Sequence, residues 1–234
     1  MIKEYKYQLH THTSPCSQCA RMSPAELCKA LYEAGYQGAV LTNHFYHGNT
    51  GIDRASAWED FVGAYEADYQ ACVQEAKKYD LDILFGIEEG VGMALEVLCY
   101  GITPKMLYEN PQLRNCPIEE FWRVMRENGV MLIQAHPFRE TPYIPQAGVL
   151  PLERIDGIEV YNRANRTGRM DEKAVEVASS HPCLIQTAGG DSHRPHEVAF
   201  GGIQTTRRLK TIEDLVSCLR QKDYRLITHP RNEE

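Results

Sequence analysis

Short apolar runs alternate along the whole chain with stretches in which apolar positions recur every three or four residues. The runs predict strands at residues 5–9, 38–42, 82–85, 95–100, 130–134, 157–161, 183–187 and 224–227. The periodic stretches predict helices at residues 27–34, 58–79, 118–127, 171–179 and 212–220. Ahead of the first helix, Ser23-Pro24-x-Glu26 supplies an N-cap and a proline at the first helical position, and Gly35 closes it. The rhythm amounts to about seven or eight β–α units, the pattern of a mostly parallel sheet covered by helices. No linker, repeat or low-complexity segment divides residues 1–234, so a single α/β domain of barrel type is expected.

The polar residues that interrupt this pattern fall at repeated places. His10 and His12 end the first predicted strand, His44 the second, and Glu88 and Glu89 follow the third. His136 follows the run at 130–134, and Asp191 and His193 follow the run at 183–187. In a barrel of parallel strands these positions share the C-terminal rim, where such folds carry their active sites. His10-x-His12 and Asp191-x-His193 are spaced i, i+2, so each pair points to one side of an extended chain and can converge on one ion or two adjacent ions. His181 precedes its strand, and His47, His196 and His229 have no comparable placement. Imidazoles mixed with carboxylates suit Zn²⁺, Mn²⁺ or Fe²⁺, and so many ligands exceed the need of one ion. Two or three divalent ions are expected.

Composition narrows the class of partner. The chain is 43% hydrophobic and 24% charged, as ordinary soluble domains are. A formal charge of −7 disfavours nucleic acid or an anionic membrane as partner. There is no signal-like apolar segment and no membrane-length apolar run, so a cytoplasmic protein is expected, with its oligomeric state left open. The eight cysteines are scattered, which favours reduced thiols; Cys16-x-x-Cys19 is the only CxxC and lacks the second pair of a structural zinc site.

The segments YQLHTHT, AVLTNH, FGIEEG, IQAHPFR, GIEVYN and GGDSHRP, in that order, resemble the motifs of the polymerase and histidinol phosphatase (PHP) family and span nearly the whole chain. The resemblance implies a distorted seven-stranded (β/α) barrel with a di- or trinuclear metal centre that hydrolyses phosphoesters. Carried over by motif, His10, His12, Glu88 and Asp191 would hold one ion. Glu88 would bridge to a second that also takes His136, with Glu96 where the family often has His, and His44 and His193 would hold a third. Where the family's first motif supplies a further His or Asp, this chain has Ser17 and Gln18, and Asn43 replaces an acidic residue before His44. Glu88, Asp191 and His193 would carry the chemistry, with a metal-activated water as nucleophile and His193 or metal-bound water protonating the leaving alkoxide. Arg139, Arg163 and Arg194 lie just past strand ends and would clamp the phosphate. The expected partner is a small phosphorylated metabolite such as histidinol phosphate or a nucleotide.

Two other readings stay open. Amidohydrolases also begin with His-x-His on a first barrel strand, but their binuclear members often bridge the ions with a carboxylated Lys, and no Lys stands at a matching strand end here. A metal-binding module with little turnover would carry much the same ligands.

Overall fold

The computed structural model describes residues 3–229. Its strands are β1 (Tyr5–Thr11), β2 (Gly38–Leu41), β3 (Asp82–Gly90), β4 (Glu96–Tyr100), β5 (Met131–Gln134), β6 (Gly157–Asn162), β7 (Ile185–Gly189), β8 (Ile203–Thr205) and β9 (Arg225–Leu226). Around them lie helices α1 (Pro24–Glu33), α2 (Trp58–Ala76), α3 (Pro104–Glu109), α4 (Ile118–Glu127), α5 (Gly168–Ser180) and α6 (Ile212–Gln221). One sheet runs in the order β7-β6-β5-β4-β3-β2-β1-β8-β9. It curls until its seventh and first strands meet: Ser192 donates its amide to the His10 carbonyl at 3.2 Å, and His12 donates to Ser192 at 3.0 Å. The barrel is therefore nearly closed.

Two expectations need correction. Among the described residues the sheet has nine strands rather than seven: the strand expected near 224–227 is the two-residue β9, and an unexpected three-residue β8 lies antiparallel between it and β1. Nor is it mostly parallel: β1–β2, β2–β3, β5–β6 and β6–β7 are parallel, whereas β3–β4, β4–β5, β1–β8 and β8–β9 are antiparallel. The cause at β4 is the connection. Only residues 91–95 separate it from β3, too few for a helical crossover, so the chain must turn straight back. This reversal brings the first residue of β4, Glu96, to the rim where its neighbours end. Between β4 and α4, where no helix is predicted, lies α3, which starts on a Thr103 cap followed by Pro104.

Tyr7, Leu9, Val40, Leu98, Tyr100, Met131 and Ile133 cluster with Leu215 and Leu219 of α6 in one buried apolar core. Each such side chain contributes about 1.5–3 kcal/mol by leaving water. A second apolar layer joins Phe85, Ile87 and Val97 of the sheet to α2 and α4. The register of β1 slips between Gln8 and Thr11, a bulge that lets consecutive residues face the same way. Leu9 enters the core while His10 comes to lie against Glu88. Strict alternation would have sent one of them away.

Candidate metal centre

Glu88 of β3 is the hub of the rim. Its Oε1 lies 3.2 Å from His10 Nε2 and 3.3 Å from His136 Nε2. Its Oε2 lies 2.9 Å from His44 Nδ1 and 3.5 Å from His12 Nε2. Glu96 reaches His44 Nδ1 at 3.3 Å and His136 Nε2 at 3.5 Å. Asp191 Oδ1 stands 3.5 Å from His10 Nε2 and 3.4 Å from both His12 Nε2 and His193 Nδ1. Among the described residues, three sets have ligand atoms within 4.8 Å of one another: His10 with His12 and Glu88, His44 with Glu88 and Glu96, and His12 with His44 and His193. Glu88 belongs to two of them.

Hydrogen bonds behind the rings decide which nitrogen faces inward. His10 Nδ1 donates to Glu159 Oε1 of β6 at 3.0 Å, leaving the Nε2 lone pair toward Glu88 and Asp191. His12 Nδ1 meets Ser17 Oγ at 3.1 Å. The Ser17 proton goes to Asn43 Oδ1 at 2.9 Å and its oxygen accepts from the His44 amide, so His12 Nδ1 must be the donor and Nε2 the acceptor. Ser17 and Asn43, two of the departures from the family pattern, thus act together to orient His12. His193 Nδ1 donates to the Asp191 carbonyl at 2.9 Å. His10 Nε2, His12 Nε2, His44 Nδ1 and Glu88 Oε2 are buried without a hydrogen-bond partner. Buried polar atoms left in this state are costly, and convergent lone pairs beside carboxylates are the donor set of a divalent cation.

The charges are strongly coupled. Burial opposes ionisation of Glu88, but His10 and His44 outweigh it and hold the carboxyl well below its usual range. Burial likewise opposes the charge on Asp191, and Arg139 and His10 hold that group low. His10 and His44 are raised well above the ordinary histidine value against the effect of burial, His10 chiefly by Glu88 and Glu159, His44 chiefly by Glu88. His12 is lowered by burial and by its neighbours His193 and His44, so it stays neutral.

The backbone is strained at this rim. His136 has φ 30° and Asp191 φ 49°, in the left-handed region that non-glycine residues rarely adopt. Gly189 is required for closeness: a Cβ there would lie 2.1 Å from Glu159 Oε1 and 2.7 Å from His10 Cβ. Beside the cluster opens a cavity of about 1080 Å³, lined at one end by His44, Glu96, His136, Asp191 and His193.

No family model matches the sequence, and no curated protein matches it. Solved structures do. A two-domain protein from Bacteroides vulgatus, described as containing a predicted PHP-like metal-dependent phosphoesterase, superposes with a TM-score of 0.71 at 14% identity over 97% of this chain. The chain spans 65% of that protein's length. PsfC from Pseudomonas syringae gives a TM-score of 0.63 at 14% identity, covering 97% of this chain and 92% of PsfC. The lesion-specific endonuclease PfuEndoQ from Pyrococcus furiosus gives 0.62 at 12% identity, covering 96% of this chain and 58% of the endonuclease.

The chain has the fold of a PHP domain.

Within this PHP fold the eight expected ligands, His10, His12, His44, Glu88, Glu96, His136, Asp191 and His193, form one contiguous cluster. The three arginines part company. Arg139 donates to Asp191 Oδ2 at 2.6 Å and Asn162 Oδ1 at 2.7 Å. Arg194 is exposed at the cavity mouth, with Glu197 at 3.4 Å. Arg163 is not brought to the cavity; its guanidinium lies over the Phe200 ring, 4.9 Å from the centroid. Two residues escaped the sequence reading. Glu159 sits mid-strand in GIEVYN, where polarity inside a buried strand was the available signal. Cys19, set aside with Cys16, lies beside His193 and His44; burial would raise its thiol, but these two imidazoles bring it down to about 6. Cys16 faces the Ala64 carbonyl instead. The eight cysteines are free thiols, and no described helix is long and apolar enough to cross a membrane.

Proposed function

We propose that this protein is a metal-dependent phosphoesterase that cleaves a small phosphate monoester at a centre of two or three divalent ions. One observation carries the reading: a single buried carboxylate, Glu88, stands within 3.5 Å of a nitrogen on each of His10, His12, His44 and His136, and three of those nitrogens have no hydrogen-bond partner. His10, His12, Glu88 and Asp191 fit one ion, Glu88, Glu96 and His136 a second, and His44 and His193 a third, with Zn²⁺, Mn²⁺ or Fe²⁺ suited to this donor set. Bound there, the ions would supply an activated water and neutralise phosphate charge.

The side chains have distinct tasks. Glu159 fixes the His10 ring, and Ser17 fixes His12, so both present lone pairs inward. Arg139 neutralises Asp191 and holds it against Asn162, while Arg194 at the mouth offers a guanidinium to an incoming phosphate. His193 can pass a proton to the leaving alkoxide; although burial lowers its basicity, Cys19 and Asp191 raise it above the ordinary histidine value.

The test is phosphate release from a chromogenic monoester with Mn²⁺, Zn²⁺ or Fe²⁺ added, alongside elemental analysis of the purified protein. Activity that depends on metal and drops by about 100-fold or more in Asp191→Ala supports the proposal. Stoichiometric metal with no release of phosphate from any ester would leave only a binding module.

A further inference from the structure

The cavity beside the metal cluster continues past it. Besides the cluster it is lined by six apolar side chains, Phe45 after β2, Ile87 of β3, Leu95 just before β4, Leu113 on the segment leading into α4, and Phe121 and Met125 of α4. Such a lobe is not needed to bind phosphate, which asks for cations and hydrogen-bond donors. Nor is it a closed packing defect, because the same cavity is lined by His44, Glu96, His136 and Asp191. One polar group interrupts its wall: Glu89 is only 2% exposed, its Oε1 accepts the His47 amide at 2.9 Å, and its Oε2 is buried without a hydrogen-bond partner.

The geometry points to a substrate that is the phosphate ester of an amphiphilic alcohol, its apolar chain or ring filling the lobe beneath α4 while a hydroxyl or amine meets Glu89. The orientation rests on the phosphoesterase reading, which sets the phosphate at the rim. Sugar phosphates, polar along their length, would leave this apolar wall unmatched. A buried methylene improves binding by about fourfold, so chain length is the sensitive variable.

The experiment titrates the Mn²⁺-loaded protein calorimetrically with ethyl-, butyl- and hexylphosphonate, which resist hydrolysis. Affinity is expected to climb by roughly threefold to fourfold per methylene. Cys116→Trp, which places a ring in the lobe from a half-buried loop position, should flatten that climb and leave ethylphosphonate binding unchanged. Ile118→Trp, at a 38% exposed position on the same wall, repeats the test if the first variant fails to fold. Equal affinity for ethyl- and hexylphosphonate would overturn the inference. Phosphate release from ethyl and hexyl phosphate is measured in parallel and reports on catalysis separately: length-dependent binding without release keeps the lobe and removes the phosphoesterase, whereas metal-dependent release with flat binding does the reverse.

Discussion

Glu88 and Glu89 are consecutive residues of β3, both buried, and the fold gives them opposite characters. Glu88 faces the inside of the curl, among four imidazoles, and is held well below the usual carboxyl range by His10 and His44 despite its burial. Glu89 faces the outer layer, where backbone amides of His47 and Tyr46 are its main compensation and burial pushes it up to about 8. Desolvation acts on both in the same direction. What separates them is the pleat, which sends neighbours to opposite sides and so gives one residue cations and the other an apolar wall. A carboxylate's chemistry here follows from the face it occupies.

The sharpest way to break this contrast is Glu88→Gln. Removing the shared charge should abolish stoichiometric metal and cut kcat/KM by about 1000-fold or more, read by elemental analysis and phosphate release. A variant that retained full metal would show that Glu88 is no hub. Glu89→Gln should do something different. A neutral carboxyl is favoured in the folded state, so its stabilising contribution is full below the ordinary value of 4.5 and is lost as pH rises through about 8. Metal-free wild type should therefore lose stability relative to Glu89→Gln across that window, by a few kcal/mol in urea unfolding; parallel curves for the two proteins would refute the burial argument.

A smaller effect is expected one layer behind the ligands. Glu159→Ala frees the His10 ring and should weaken metal affinity by about 10- to 100-fold while leaving the fold intact, measured by competition with a chelator. Smallest is the contrast between two arginines. Arg194→Ala should raise KM by about tenfold with kcat nearly constant, whereas Arg163→Ala, away from the cavity, should leave both unchanged. Equal effects from the two would mean that phosphate approaches by another path.

The order of strands and helices and the ring of polar residues at strand ends could be read from the chain, because apolar periodicity and i, i+2 spacing are local properties that report which face a residue takes. The ligand types followed from the same pattern. The three-residue β8 and its place between β1 and β9 could not, since they depend on which distant strands pair. The bulge between Gln8 and Thr11, which turns both Leu9 and His10 inward, is equally invisible in a pattern that presumes strict alternation. The bond of Glu159 to His10 and the approach of Cys19 to His44 and His193 join residues on different segments. The cavity beneath α4 is likewise a matter of how two layers fail to touch. Local sequence determined the donors and their sides; only the folded chain decided which donors meet, in what protonation state, and beside what space, because those are properties of distance between segments that the linear order does not contain.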